Sequence, residues 1–302
     1  MLELINIFIN NIGPIMLITA VGYWLGRYIG VPVNPLSDVV FNALSPSLVF
    51  YSLYSSTVDG GEFVLLFIAV VIFQFVMVGI ARLALRNHGT SAIERANVMI
   101  AAACLNAGSY GLSLVAFAFD GEVLSRAVIV FVANMTLNYT LGVYIASHGR
   151  SSALRALREV TKTPAVYAVI LAFTLRGLAV ELPLPLDRSV DQLGQAAIPM
   201  MLLVLGLQLG QSATVDRVRL LVTGVWIKLL LAPAVMTGLV LLLGLDGPAR
   251  VALIIQAGMP TAVITIVFTN RFRLDPNLGL NLVMATTLLS PITLSVLIWV
   301  LS

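Results

Sequence analysis

Apolar residues run along this chain in long stretches, separated by short clusters of charge, glycine and proline. Those clusters cut the sequence into ten apolar stretches, roughly 9–29, 36–56, 63–86, 95–119, 124–146, 164–180, 190–211, 217–243, 249–271 and 276–301. A helix needs about 20 apolar residues to cross the ~30 Å hydrocarbon core of a bilayer. The pattern therefore predicts an all-α polytopic membrane protein with ten transmembrane helices. The sixth stretch is the weakest, because Arg176 shortens it.

Composition agrees with this pattern and excludes other classes. Of 302 residues, 59% are apolar and only 10% are charged, and mean hydropathy is +1.01. Soluble domains carry roughly 25% charged residues, so a soluble enzyme, a nucleic-acid binder and a disordered chain are all excluded. The single cysteine, Cys104, lies in an apolar run and has no disulfide partner. The segment MLELINIFINN has no basic residue ahead of the first apolar run, so the first span is expected to be retained rather than cleaved.

Charge placement adds orientation. Arg27, Arg82, Arg86, Arg95, Arg150, Arg155, Arg158, Lys162, Arg217, Arg219, Arg271 and Arg273 fall on one set of loops, and Arg126, Arg176, Arg188 and Arg250 on the other. Twelve against four, under the positive-inside rule, puts the richer face in the cytoplasm and both termini outside. A multi-pass protein of the cell inner membrane is expected. The connector 148–163, cytoplasmic in this scheme, reads either as a basic loop that sets topology or as a short amphipathic helix on anionic headgroups.

That connector divides a single transmembrane domain, 1–302, into repeat 1 (1–147) and repeat 2 (164–302), each with five stretches. An odd number per repeat makes the second cross in the opposite sense. Weak echoes support a 5+5 inverted repeat: Pro46 against Pro199 at an offset of 153, Gln74 against Lys228 at 154, and Arg95 against Arg250 at 155. Stretch 4 is interrupted at Asn106-Ala107-Gly108-Ser109-Tyr110-Gly111, and stretch 9 at Gln256-Ala257-Gly258-Met259-Pro260-Thr261. Paired interruptions in inverted repeats point to secondary transporters. Two breaks crossing at the midplane would aim the positive ends of two half-helices at one point, a ready anion site.

Asn106-x-Gly108-x-x-Gly111-Leu112 in stretch 4 and Met259-Pro260-Thr261-Ala262 in stretch 9 resemble motifs of the auxin efflux carrier family, bacterial relatives of the plant PIN proteins. Supporting likenesses are Leu44 to Phe50, Pro199 to Gly206 and Lys228 to Pro233, and the resemblance spans essentially the whole chain. It implies a fold related to the bile-acid sodium symporters, with spans 1, 2, 6 and 7 as a scaffold and spans 3–5 and 8–10 as a transport domain with crossed helices 4 and 9. It also implies carriage of organic anions such as malonate, malate or indole-acetate-like acids, and a homodimer through the scaffold. One departure is Ser113, where the family often has proline, so the break in stretch 4 rests on glycines.

The residues expected to bind substrate are Asn106, Gly108, Gly111, Gln256, Pro260, Thr261, Lys228, Asn134 and Asn138. Lys228 is the one basic residue deep in a span, where an ammonium is costly unless paired or hydrated. It could pair with a substrate carboxylate, pair with half-helix carbonyls in place of a coupling cation, or snorkel to an interface. Asn134 and Asn138 stand one turn apart and either bond neighbouring helices or offer oxygens to sodium. Gln74 and Gln208 read as packing or cavity-lining groups. No acid lies near a span centre, and no metal spacing, P-loop or catalytic constellation accompanies His88 and His148. The reading is a carrier of organic anions working by alternating access, with no cofactor and no enzymatic activity. A sodium- or proton-coupled symporter is the alternative, and a membrane sensor using the same pocket a distant one.

Overall fold

The computed structural model describes residues 2–86, 89–147, 161–209 and 217–301, and these are helical apart from short connectors, with no strand among them. Residues 148–160, with most of the connector reading, lie outside the described residues, as do His88 and His148. In chain order the helices are α1 (Glu3–Ile29), α2 (Val33–Tyr54) and α3 (Gly60–Ala84), then α4 (Ala92–Ala103) and α5 (Ala107–Ala118). They continue with α6 (Gly121–Ala146), α7 (Pro164–Gly177), α8 (Leu184–Leu209) and α9 (Val218–Leu242). The last three are α10 (Gly247–Ala257), α11 (Ile264–Arg271) and α12 (Pro276–Leu301).

Seven of them, α1, α2, α3, α6, α8, α9 and α12, are long and apolar enough to cross a bilayer. The stretches read at 95–119 and 249–271 are each helical, then extended, then helical again. The sixth stretch forms only the short α7.

Span ends follow elementary capping. The first N–H groups of a helix lack intrahelical partners, and a side-chain oxygen supplies one. Asp59 accepts from the Glu62 amide at 2.8 Å, Asp120 from Val123 at 3.0 Å and Asp275 from Leu278 at 3.1 Å. Ser91 and Glu94 form a reciprocal capping box on α4. This is why acids gather at span ends and not at their centres. Backbone N–H groups of Glu62 and Gly61 hold the Asp59 carboxyl below its ordinary range.

Inside the spans, prolines reshape the helix locally. Proline has no N–H and clashes with the carbonyl four residues before it. Wide turns at Phe8–Ile12, Val40–Leu44 and Ile227–Leu231 each end just ahead of Pro14, Pro46 and Pro233. The extra residue in each turn moves the clashing carbonyl aside. Lys228 sits in the third of these turns.

The helices pack as two groups. In one, α8 lies against α1 and α2, and α2 against α7; in the other, α3, α6 and α10 pack together with α4 and α9. Lipid tails are as apolar as a helix surface, so close backbone approach drives association in the membrane. Gly22 and Gly206 provide it between α1 and α8. A β-carbon on Gly206 would meet the Thr19 carbonyl oxygen at 2.0 Å, and one on Gly22 the Leu203 oxygen at 2.2 Å.

Charged residues fasten the ends. Arg126 lies between Glu62, at 2.6 Å, and Glu122, while Arg217 lies between Glu94, at 3.2 Å, and Asp275, at 2.6 Å. Arg176 donates to the carbonyls of Leu53 at 3.1 Å, Ser56 at 2.9 Å and Val58. The arginine that shortens the sixth stretch thus closes the end of α2.

Candidate functional site

The two interrupted segments cross. Beyond Ala103 the chain leaves helical geometry at Cys104, with ψ 106°, and turns again at Asn106, with ψ 54°, before α5 begins. It meets the segment after α10 in one antiparallel bridge, Leu105 opposite Thr261. The Asn106 amide donates to the Pro260 carbonyl at 2.9 Å, and the Ala262 amide to the Cys104 carbonyl at 3.0 Å. Unwound backbone at membrane depth must find partners inside the protein, and here each broken helix supplies them to the other.

Side chains meet further backbone groups of the crossing. Asn134 of α6 takes the Leu105 amide on its oxygen at 3.2 Å and donates to the Leu105 carbonyl at 2.9 Å. Gln74 donates to the same Asn134 oxygen at 2.9 Å. On the other segment, the Thr286 hydroxyl of α12 accepts from the Thr261 amide at 3.1 Å, and the Thr261 hydroxyl donates to the Ala101 carbonyl at 3.1 Å. Asn134 and Thr286 stand 152 residues apart, close to the 153–155 spacing of the echoes read along the sequence, and hold opposite arms of the crossing. Thr286 is a residue that sequence reading missed, although that spacing could have found it.

Lys228 is fully buried and donates to the Ala102 carbonyl at 3.3 Å, at the C-terminal end of α4. The negative end of a helix dipole favours a cation at that place. Gln256 donates to the Ala107 carbonyl at 3.3 Å and packs against Gly111, where a β-carbon would sit 2.1 Å from its Oε1. A larger residue there would have to displace the Gln256 carboxamide. Pro260, through its carbonyl, belongs to the bridge itself.

Beside the crossing is a cavity of about 260 Å³ between the two helix groups. Asn106, Gly108, Asn134 and Asn138 line it, whereas Gly111, Gln256, Pro260, Thr261 and Lys228 lie behind it in the support. Gln208 also lines it, together with Ser37 and Ser45 of α2 and Ser109 of α5. Phe41, Phe131, Tyr139, Met135 and Met201 make the apolar wall. Among the described residues the lining holds no charged side chain. The first residues of two half-helices open onto it, Gly108 and Ser109 of α5, and Val263 and Ile264 at the start of α11.

Three lining atoms, Asn106 Nδ2, Asn138 Oδ1 and Ser37 Oγ, are buried with no hydrogen-bond partner among the described residues. Buried polar groups are nearly always satisfied, so these atoms are suited to a polar solute or water. Ser45 lies within the Leu44 to Phe50 likeness, but Ser37, Phe41, Phe131 and Tyr139 carried no sequence signal, because nothing in their local pattern sets them apart from ordinary span residues.

Comparison with known proteins matches this chain to membrane transporters. A family described as membrane transport protein matches residues 147–298. An uncharacterized transporter of Methanothermobacter thermautotrophicus is 26% identical, covering 93% of this chain and 94% of its own length. An uncharacterized transporter of Methanocaldococcus jannaschii is 24% identical over 95% of this chain and 96% of its own, and the uncharacterized transporter YfdV of Escherichia coli is 22% identical over 91% and 92%. With multiple apolar spans and half of its length matched by that family, the chain belongs to the membrane transport protein family, the auxin efflux carrier family of membrane transporters.

Proposed function

We propose that this protein is a secondary carrier of small organic anions that works by alternating access. Its ten spans form a 5+5 inverted repeat, with α4–α5 and α10–α11 as the crossed spans 4 and 9. Spans 1, 2, 6 and 7 act as the scaffold and pair two copies, and the remaining spans move against them. In the cell inner membrane both termini lie outside.

The observation that carries this reading is the pair of half-helix N-termini opening onto one cavity beside the Leu105–Thr261 bridge. A carboxylate there takes the dipole ends of α5 and α11 and the free amide of Asn106, while the apolar wall holds the body of the solute. One carboxylate suits a lining without cationic side chains better than two. Lys228 supports the site from behind: its ammonium at the end of α4 occupies the place of a coupling cation, which favours transport driven by potential or solute gradient.

Uptake of labelled monocarboxylates into proteoliposomes tests the reading. Saturable uptake that is indifferent to a sodium gradient at fixed potential is expected. A large sodium dependence would move the protein to the coupled-symporter class, and binding without any flux would move it to the sensor class.

A further inference from the structure

A second cavity, about 350 Å³, opens at the basic-rich membrane face, away from the crossing. It lies where the C-terminal end of α3, the first turns of α4 and the last turn of α6 meet, and Arg82, Arg95, Met99, Tyr144 and Ile145 form its walls. Two guanidiniums thus face one hollow, and no carboxylate lines it among the described residues. Glu94, adjacent to Arg95 in sequence, pairs instead with Arg217. Arg95 donates to the Thr90 carbonyl, which leaves most of its five donors available. Arg82 makes no ion pair or hydrogen bond among the described residues and is exposed.

Its surroundings are those of the headgroup layer. Tyr144, 54% exposed, sits at the rim, as amphipathic aromatic residues do at membrane interfaces. Phe75, 57% exposed and two turns deeper than Arg82 on the same face of α3, presents apolar surface of the kind acyl chains cover. Basic pockets between spans at a membrane face suit lipid phosphates.

We infer that this cavity binds the phosphate of an anionic membrane lipid, with Arg82 and Arg95 as its two ligands. The phosphate sits between the guanidiniums in fork geometry and the acyl chains run toward the bilayer centre along the exposed face of α3 at Phe75. All three walls belong to the helix group that contains the crossing, so a bound lipid holds that group at one depth in the leaflet. Anionic lipid content then tunes the stability of this half of the molecule.

The test uses full-length protein in detergent and follows thermal unfolding and native mass spectra as phosphatidylglycerol, phosphatidylcholine or inorganic phosphate is added. Phosphatidylglycerol is expected to raise the unfolding temperature and to remain as a bound adduct, while phosphatidylcholine and inorganic phosphate do neither. Arg82→Gln and Arg95→Gln should each weaken the phosphatidylglycerol effect by roughly fivefold in apparent affinity, while Arg273→Gln, on the same face, leaves it unchanged. Equal stabilisation by inorganic phosphate would assign the site to a free phosphate and overturn the lipid assignment. An equal loss in Arg273→Gln would make the effect a diffuse surface attraction and overturn the site itself. Should Arg95→Gln fail to fold, exposed Arg82→Gln alone decides between these outcomes.

Discussion

The Asn134 side chain satisfies both backbone groups of Leu105, accepting from its amide at 3.2 Å and donating to its carbonyl at 2.9 Å. One carboxamide thus does for a span residue what a neighbouring strand would do in a sheet. That leaves Leu105 free to oppose Thr261 while Gln74 holds the carboxamide in place.

Asn134→Ala should therefore cost more than an average membrane hydrogen bond of about 0.6 kcal/mol. It leaves two buried backbone groups unpaired, at about 1–3 kcal/mol each. Thermal unfolding in detergent should show the loss, and Gln74→Ala should add little once Asn134 is gone. Additive losses in the double variant would show that the two residues do not act through one contact.

Lys228→Ala and Pro260→Ala should reduce carboxylate uptake by roughly tenfold, the weight of about 1.4 kcal/mol, while insertion and monodispersity persist. Lys228 acts on the Ala102 carbonyl and not on the cavity, so maximal flux is expected to fall more than apparent affinity. Wild-type flux in both variants would remove the crossing from the transport site.

Gly206→Leu should separate α1 from α8, since even a β-carbon would meet the Thr19 carbonyl oxygen at 2.0 Å. A cost of at least about 1–3 kcal/mol is expected, seen as a lower unfolding temperature. Gly238→Leu is the control: a β-carbon on Gly238 has nothing within 4 Å, and this variant should behave as wild type.

Acid should weaken the tie at Arg217. The Ser91 amide, with the nearby Arg217 and Arg95 charges, holds the Glu94 carboxyl below its ordinary value. A depressed carboxylate contributes stability above its unfolded pKa and loses it as pH falls through its folded one. The difference in unfolding temperature between wild type and Glu94→Gln should be present at neutral pH and disappear on acidification below the carboxylate range. A difference that persists in acid would mean the contribution is not electrostatic.

Much of the architecture was readable from residue order because membrane folding writes its rules locally. Apolar runs of span length and glycine–proline clusters mark where helices begin, end and break, and α12 spans Pro276–Leu301, the bounds the apolar run sets. Helix caps refine the edges: Asp59 and Ser91 start α3 and α4 three residues ahead of the apolar runs read there. The binding candidates divided less predictably. Asn106, Gly108, Asn134 and Asn138 reach the cavity, and Gly111, Gln256, Pro260, Thr261 and Lys228 do not. Spacing along a helix gives a face but not what that face meets.

The sequence by itself determined the class, the candidate spans, the two breaks and the family, since each depends on transfer energies or short motifs that need no partner. Tertiary structure alone decided that Leu105 meets Thr261, that Asn134 and Thr286 stabilise the opposing arms, and that Lys228 caps α4 at Ala102. Those pairings join residues 25 to 156 positions apart. They arise from hydrogen-bond demand at an unwound backbone, which any nearby polar side chain can meet and which only packing assigns.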